Sequence, residues 1–296
     1  MEPSLNDRSD EIADAALQRL GAEAHAAFRA RHPDLRVAPV VVVIAALNES
    51  EAIGDVLAAI PREVAGLDVD TLVVDDGSTD GTGDVARSHG AYVARLERNS
   101  GQGAAFRVGY RLARDHGARY LVTLDGDGQW DPADVPAVLA PVIAGEADFV
   151  LGSRVLGSSE GDDAMRQTGV HVFAALVRVL TGVRVTDTSS GLRAMLAEVP
   201  ATVPLNQPQY QSSELLLGAI FAGYKLAERP VVMHKRTAGV SKKGGNVLYG
   251  ARYARVILRT WWRARRLSGA RVRPARVVGD RPRDVIDDEA VHPGGQ

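Results

Sequence analysis

Two aspartates separated by one glycine, Asp125 and Asp127, are the residues whose type and spacing most directly predict chemistry. They follow an apolar run over residues 120–124, which has the composition of a buried strand. In an open α/β sheet, ligands bind beyond the carboxyl ends of the strands. Paired carboxylates at that place can hold a hard divalent cation, and the cation can neutralise a diphosphate. The motif therefore predicts chemistry on a nucleotide-activated substrate.

The acidic run continues through Gln129 and Asp131 and superficially matches a calcium-binding loop. An EF-hand loop needs glycine at its sixth position and glutamate at its twelfth. This chain has Trp130 and Pro136 at those positions, so the calcium loop is excluded. What remains is an oxygen-ligand site with open positions for a diphosphate, and a solvated acidic turn is the structural alternative.

A second carboxylate pair, Asp75 and Asp76, follows an apolar run over residues 71–74. An aspartate at a strand tip can accept a hydrogen bond from a nucleotide base, although turn and capping chemistry also favours these residue types. The glycine-rich stretch 99–105 then enters a predicted helix and could direct backbone N–H groups toward phosphate. It lacks the lysine of a Walker motif, so by itself it is a weak phosphate signal.

Strand and helix patterns alternate between residues 40 and 124 with short turns. This alternation predicts an α/β fold with a mostly parallel, Rossmann-like sheet and helices on both faces. Along the whole chain the patterns predict four parts, namely a leading helical extension over 1–36, the α/β domain over 37–245, a basic amphipathic helix over 246–268 and a disordered tail over 269–296.

Composition narrows the class of protein. The chain has 296 residues and a formal net charge of −2, so a nucleic-acid partner is not expected. It contains no cysteine, which excludes disulfides and thiolate metal sites. The polar first residues do not resemble a signal peptide, and no apolar run approaches the roughly 20 residues that span a bilayer. These observations predict a cytoplasmic protein.

Seven motifs occur in a fixed order, at residues 46–49, 74–78, 99–104, 125–129, 152–154, 190–193 and 236–242. This ordered set resembles family 2 glycosyltransferases, and most closely the branch of dolichol-phosphate mannose synthases and polyprenyl-phosphate glycosyltransferases. The resemblance implies a GT-A fold, a nucleotide-diphosphate sugar donor, Mg²⁺ or Mn²⁺, and inversion at the anomeric carbon. Two positions depart from the family pattern, because Ala45 replaces the usual proline and Gln102 replaces a frequent lysine.

The same resemblance implies residue roles. The donor is expected to contact Ala45, Leu47, Glu49, Asp75, Asp76, Gly103, Asp125, Gly126, Arg236 and Lys242. The metal and the diphosphate are expected to lie among Asp125, Asp127 and Gln129. Arg236, Ser241 and Lys242 match a loop that closes over phosphate groups. Asp127 and Arg236 are therefore expected to take part in catalysis.

Two acceptors for the hexose remain open. Many relatives that glycosylate hydroxyls carry a Glu-Asp pair where this chain has Glu214 followed by Leu215. A phosphate is already ionised near neutral pH and needs no base, so the missing aspartate favours a polyprenyl phosphate. For the alternative, a hydroxyl-bearing metabolite, Glu214 is the candidate base. The expected acceptor contacts are Arg154, Arg166, Arg193 and Ser241.

The sequence disfavours two other functions. A nucleotide-sugar-binding protein without turnover is disfavoured by the intact Asp125 and Asp127 pair, and a dehydrogenase by the missing dinucleotide motif. The basic helix over 246–268 combines arginines with aromatic residues. Such a helix can lie peripherally at the inner membrane face, or it can pack on its own domain with its arginines in water.

Overall fold

The computed structural model describes residues 5–160, 164–207, 209–235 and 246–267. The strands are β1 (Val40–Ala46), β2 (Glu63–Val64), β3 (Leu67–Asp75), β4 (Tyr92–Arg95), β5 (Tyr120–Asp125), β6 (Phe149–Ser159), β7 (Arg193–Leu196) and β8 (Leu226–Met233). The helices are α1 (Leu5–Arg31), α2 (Ile53–Ala59), α3 (Thr82–Ser88), α4 (Gln102–Asp115), α5 (Val135–Ile143), α6 (Ala164–Thr181), α7 (Val199–Thr202), α8 (Gln211–Ala222) and α9 (Asn246–Leu267).

The centre of the sheet is the parallel trio β3, β1 and β5. Every side chain over residues 40–44 in β1 is fully buried, as expected of a β-branched strand with helices on both faces. The register pairs Ala46 of β1 with Asp75, and Ala45 with Asp125. The two predicted carboxylate motifs therefore leave the sheet at the same edge, on either side of β1.

The mostly parallel sheet is confirmed, with two short strands that the sequence did not reveal, β2 and β7. The order is β2-β3-β1-β5-β7-β6-β8, and β4 pairs with β3. β7 runs antiparallel to both β5 and β6. It has only four residues, Arg193–Leu196, and follows a polar stretch. Because β7 runs in the opposite direction, its first residue, Arg193, pairs with Thr123 near the carboxyl end of β5.

A helix was also missed directly after the Asp-x-Asp motif. The 3₁₀ turn Pro132–Asp134 leads into α5, where Pro136 and Pro141 obscured the helical pattern. Proline is compatible with the first turn of a helix because the N–H it lacks has no partner there.

The predicted leading helix packs on the sheet domain, although it ends at Arg31. Ala24 and Phe28 of α1 are buried in the core, and the His25 imidazole lies 3.0 Å from the Asp115 carboxylate on α4. At the other end of the chain, α9 packs against α8 and α6 through Tyr253, whose ring centroid lies 4.4 Å from that of Phe173. The predicted tail over 269–296 lies outside the described residues.

None of the helices in the described ranges is both long enough and apolar enough to cross a bilayer.

Candidate active site

A cavity of about 600 Å³ opens at the edge of the sheet where β1, β3 and β5 end. We call its two sides by their place in the chain. The N-terminal wall comprises Ala45, Ala46, Leu47, Glu49, Asp76, Asn99, Gly101, Gln102, Phe106, Thr123, Asp125, Gly126 and Asp127. The C-terminal wall comprises Ser189, Ser190, Gly191, Arg193, Gln209, Tyr210, Gln211, Ser212, Arg252 and Tyr253.

Asp76 joins the tip of β3 to the glycine-rich turn. Its Oδ1 accepts a hydrogen bond from Ser100 N at 2.7 Å, and its Oδ2 accepts one from Gly101 N at 2.9 Å. Burial raises the pKa of this carboxyl to about 6, against the effect of the two N–H donors. Gly77 follows with φ of +78°, and the Arg98 backbone lies where a Cβ would be, so only glycine fits.

Asp125 and Asp127 both line the cavity, as the sequence predicted. Asp125 Oδ1 accepts a hydrogen bond from Gln102 Nε2 at 2.8 Å, and Oδ2 accepts one from Trp130 Nε1 at 3.2 Å. Asp127 Oδ1 accepts from Gln129 N at 3.1 Å. Gln102, which stands where a lysine is frequent, thus orients the first carboxylate of the motif.

Arg193 is the buried cation of the C-terminal wall, and only 2% of its surface is exposed. Its Nη1 donates to Ser212 O at 3.2 Å, whereas Nε and Nη2 have no hydrogen-bond partner among the described residues. Burial lowers the pKa of the guanidinium, but arginine stays protonated in proteins. An uncompensated buried charge is costly. A cavity-lining guanidinium with two open donors is therefore suited to bind an anion.

The sequence profile of glycosyl transferase family 2 matches residues 41–199. The chain belongs to this family. A dolichyl-phosphate hexose transferase from Haloferax volcanii is 34% identical over 201 residues, which is 68% of this chain and 85% of that protein. An undecaprenyl-phosphate mannosyltransferase from Micrococcus luteus is 29% identical over 245 residues, covering 79% of this chain and 98% of that protein. The chain is accordingly a glycosyltransferase.

Solved structures show the same fold. Glucosyl-3-phosphoglycerate synthase from Mycobacterium tuberculosis, in complex with phosphoglyceric acid, matches with a TM-score of 0.62 and 23% identity. The match covers 80% of this chain and 82% of that chain. The same enzyme in complex with Mn²⁺, UDP and glucosyl-3-phosphoglycerate matches with a TM-score of 0.60. The glycosyltransferase therefore has the GT-A fold that the sequence predicted.

The carboxylates of the N-terminal wall fit a divalent cation that a ligand helps to hold. Within the described ranges, no three His, Asp or Glu side chains are grouped so that they could hold a metal by themselves. Asp125 and Asp127 would supply hard oxygen ligands, and a diphosphate and water would complete the shell, as is usual for Mg²⁺. The predicted third ligand, Gln129, does not line the cavity, and its carbonyl oxygen accepts from His234 N at 2.7 Å.

Two predicted donor contacts need correction. The Asp75 carboxylate is fully buried outside the cavity lining, where it accepts a hydrogen bond from Ser78 N at 2.8 Å and pairs with Arg95. Asp75 therefore shapes the turn after β3. Gly103 is buried inside the first turn of α4, and Gly101 lines the cavity instead. The remaining donor contacts predicted among described residues all line the cavity, namely Ala45, Leu47, Glu49, Asp76, Asp125 and Gly126.

The candidate base, Glu214, is also placed differently from the prediction. It is fully buried and does not line the cavity. Its Oε2 accepts hydrogen bonds from Asn206 N and Gln207 N, both at 2.9 Å, and its Oε1 accepts from Arg263 Nη2 at 2.6 Å. A carboxylate with three donors and no face on the cavity is poorly placed to take a proton from a bound acceptor, so this geometry does not favour Glu214 as the base.

Of the two predicted acceptor contacts whose side chains are described, Arg193 lies in the cavity wall and Arg154 does not. Arg154 instead donates from Nε to Asp187 Oδ2 at 2.7 Å and from Nη2 to Ser189 Oγ at 2.9 Å. Its guanidinium stacks 5.0 Å from the Trp130 ring centroid, so it fixes the loop behind the wall. For Arg166 only the position in α6 is described. Arg236, Ser241 and Lys242 lie outside the described residues.

Sequence reasoning missed most of the C-terminal wall. Tyr210 and Gln211 lie at the start of α8, and Arg252 and Tyr253 lie on α9. Tyr210 has a left-handed backbone with φ of 60°, which is rare for a bulky residue and marks a constrained position. The polar and aromatic cluster at 207–211, directly before an apolar helix, was the available signal.

Proposed function

We propose that this glycosyltransferase moves a hexose from a nucleotide-diphosphate sugar to a polyprenyl phosphate, with inversion and with Mg²⁺ or Mn²⁺. The observation that carries the proposal is the opposition of charges across one cavity. Asp125 and Asp127 line one wall, and Arg193 lines the other with a buried guanidinium, two of whose donors have no partner among the described residues. The first wall suits a cation with a diphosphate, and the second suits an anionic acceptor.

The N-terminal wall supports the assignment of the donor. Asp76 and Glu49 lie near the backbone of the first strand tip, where a base and a ribose could be bound. A divalent ion held by Asp125 and Asp127 would stabilise the negative charge that develops on the departing diphosphate. The Mycobacterium tuberculosis synthase of the same fold holds Mn²⁺ and UDP, which supports this use of the wall.

The C-terminal wall supports a phosphate acceptor. Arg193 and Arg252 both line it and would bind and orient an anion. Glu214 is poorly placed to act as a base, because its carboxylate accepts three hydrogen bonds outside the cavity. A phosphate needs none, since it is already ionised near neutral pH. The named relatives from Haloferax volcanii and Micrococcus luteus act on dolichyl and undecaprenyl phosphates, which supports this class of acceptor.

The proposed glycosyl transfer forms one bond and breaks one bond, and it requires no proton transfer. An oxygen of the acceptor phosphate forms a bond to the anomeric carbon of the hexose. The bond between that carbon and the β-phosphate oxygen breaks, and the nucleoside diphosphate leaves with the electron pair. Because the acceptor attacks opposite the leaving group, the configuration of the anomeric carbon is inverted. Arg193 holds the acceptor anion in place for that attack and keeps it desolvated.

One observation favours a second candidate, a small anionic acceptor that is glycosylated on a hydroxyl. The Mycobacterium tuberculosis synthase binds phosphoglyceric acid, which is also an anion. Arg193 could bind the charged group of such a molecule. This candidate needs a base other than Glu214, and Asp76, whose pKa is raised to about 6 by burial, lines the same cavity.

The test is an assay of nucleoside diphosphate release from UDP-glucose or GDP-mannose with Mn²⁺. Three acceptors are compared, namely a short-chain polyprenyl phosphate, the matching polyprenol and phosphoglyceric acid. Release that requires the polyprenyl phosphate supports the proposal. Release with phosphoglyceric acid alone establishes the second candidate, and release with the polyprenol alone contradicts both, because the buried arginine would then have no anion to bind.

A further inference from the structure

We infer that the outward side of α9 docks the enzyme on an anionic lipid bilayer. We call this surface the α9 face and define it by Arg255, Leu258, Arg259, Trp262 and Arg265, all of which are exposed. The inference deepens the proposed function, because it names the surface from which a lipid acceptor would be taken. The inference is tested by the binding of the protein to vesicles, and this measurement does not depend on turnover.

The α9 face combines apolar and cationic residues at helical spacing. Leu258 is 46% exposed and Trp262 is 53% exposed, and they lie one turn apart on the same side of α9. Arg255 and Arg259 are also one turn apart, and they lie beside Leu258 and Trp262 on the helix surface. The opposite side of the helix, with Ile257 fully buried, packs into the domain. Two large apolar side chains among arginines are typical of a helix that lies in a membrane interface.

The charge of α9 selects an anionic partner. The helix sequence contains six arginines and no aspartate or glutamate. The whole chain has a net charge of −2, so the cationic face is a local feature. Arg263 is turned inward, toward Glu214, and Arg252 lines the cavity. Arg255, Arg259 and Arg265 would face the negative potential of an anionic membrane, which attracts basic residues near its surface.

The same charge argues against a second copy of the chain as the occupant. A twofold dimer places the same patch of both subunits against itself. The α9 face would then bring arginines against arginines without any acidic residue of α9 between them. Like charges in contact across an interface are unfavourable. A bilayer with anionic headgroups satisfies both the arginines and the apolar pair.

The α9 face is rigidly connected to the cavity. Arg252 and Tyr253, on the same helix, line the C-terminal wall. Tyr253 Oη donates to Thr188 O at 3.0 Å, and Trp261 Nε1 donates to Leu180 O at 2.9 Å. Val179, the neighbour of Leu180 near the end of α6, is 82% exposed and adds apolar surface close to this contact with Trp261. A helix held in this way would orient the wall that binds the acceptor toward the bilayer.

The experiment is sedimentation of the full chain with vesicles of phosphatidylcholine, with and without phosphatidylglycerol, in the absence of donor and acceptor. Two double variants remove one component each, Leu258→Ser with Trp262→Ser and Arg255→Gln with Arg259→Gln. Their matched controls are Leu156→Ser, an exposed leucine on β6, and Arg111→Gln, an exposed arginine on α4. Circular dichroism and the thermal midpoint establish that each variant is folded.

We expect binding to the anionic vesicles, weakened about tenfold or more by either double variant and unchanged by either control. Each arginine near an anionic surface contributes about fivefold, and added salt should weaken binding further. Binding that is absent, or equal in the α9 variants and their controls, overturns the inference. So does a dimer in solution that Leu258→Ser with Trp262→Ser dissociates, because the face would then bind a second copy.

A kinetic comparison separates this inference from the proposed function. The α9 variants should keep the wild-type rate with a short-chain polyprenyl phosphate in detergent-free solution and lose rate when a long-chain acceptor is embedded in anionic vesicles. If neither acceptor gives nucleoside diphosphate release, the proposed function is wrong. The sedimentation experiment then still tests whether the α9 face binds the bilayer. Equal rates of variant and wild type on vesicles contradict the docking while the proposed function stands.

Discussion

The two walls of the cavity are built in different ways. The N-terminal wall consists of strand tips and the turns that follow them, within residues 45–127. Its carboxylates are held by nearby groups, as when Asp76 accepts from Ser100 N and Gly101 N. The C-terminal wall is collected from β7, α8 and α9, within residues 189–253. Its cation, Arg193, has two donors without a partner among the described residues.

The two walls are therefore prepared for their ligands in different ways. The carboxylates of the N-terminal wall accept hydrogen bonds from neighbouring backbone and side-chain groups, and they would need a cation only when a diphosphate binds. The basic wall carries an electrostatic cost that an anion would relieve. Each of the following substitutions tests one side of the comparison.

The largest effect is expected from Asp127→Asn. It removes one of the two cavity carboxylates while keeping its shape, so turnover should fall by about 10³-fold or more. The measurement is nucleoside diphosphate release over a Mn²⁺ titration, in which half-saturation should also move to higher Mn²⁺. Asp131→Asn is the matched control, because Asp131 caps the next turn through Ala133 N and does not line the cavity. Equal loss in the two variants would contradict a metal-binding role specific to Asp127.

Arg193→Met tests the opposite wall. The ratio kcat/KM for the phosphate acceptor should fall by about 10²-fold, because a buried charged contact is typically worth a few kcal/mol, whereas the dissociation constant of the donor should hold. The free energy of unfolding should stay the same or rise, since an apolar side chain of similar length replaces a buried guanidinium that makes one hydrogen bond, to Ser212 O.

Urea unfolding and acceptor kinetics are measured on the same samples of this variant. A large loss of stability with unchanged acceptor kinetics would show that Arg193 is a structural residue.

Glu214→Gln distinguishes a structural brace from a base. The free energy of unfolding should fall by about 3 kcal/mol, because Arg263 loses its buried partner. The KM for the acceptor should rise, since Glu214 anchors the segment before α8 through Asn206 N and Gln207 N. The value of kcat and its pH profile should change little. Arg263→Gln should reproduce these effects. A kcat loss of about 10³-fold confined to Glu214→Gln would instead show that Glu214 is the catalytic base.

The smallest effect concerns pH and Asp76. Burial raises the pKa of Asp76 from 3.8 to about 6, so the folded chain holds the proton more tightly than the unfolded chain. The stability gained from this proton is complete below pH 4 and is lost as the pH rises through about 6. Asp76→Asn cannot ionise and should lack that decline, which amounts to about 2–3 kcal/mol.

Urea unfolding at several pH values between these limits gives the comparison. Parallel stability curves for wild type and Asp76→Asn would show that another group is responsible.

The sequence predicted the N-terminal wall well because its chemistry is local. Asp76, Asp125 and Asp127 each follow a strand whose apolar run is visible in the chain, and the parallel sheet brings the strand ends together. The prediction that Asp75 contacts the donor was not supported, because the sequence does not show which member of the Asp75 and Asp76 pair is buried away from the cavity.

The C-terminal wall could not be predicted in the same way. The short antiparallel β7 places Arg193 beside β5, and no local pattern encodes that pairing. Glu214 was the candidate base for a hydroxyl acceptor because it stands where many relatives carry a Glu-Asp pair, but the position of Arg263 on α9 gives it a different partner. Long-range packing thus decides the chemistry of this wall.

Helix α4 links the N-terminal wall to the segment that precedes the second wall. Helix α4 begins at Gln102, which holds Asp125, and farther along it Arg107 Nη1 donates to Leu205 O at 3.1 Å in the segment before α8. A designer who wishes to graft the acceptor specificity of one relative onto the donor specificity of another would cut the chain between the walls. Such a chimera would have to transplant position 107 together with the 203–212 segment, or the grafted part would lose its anchor.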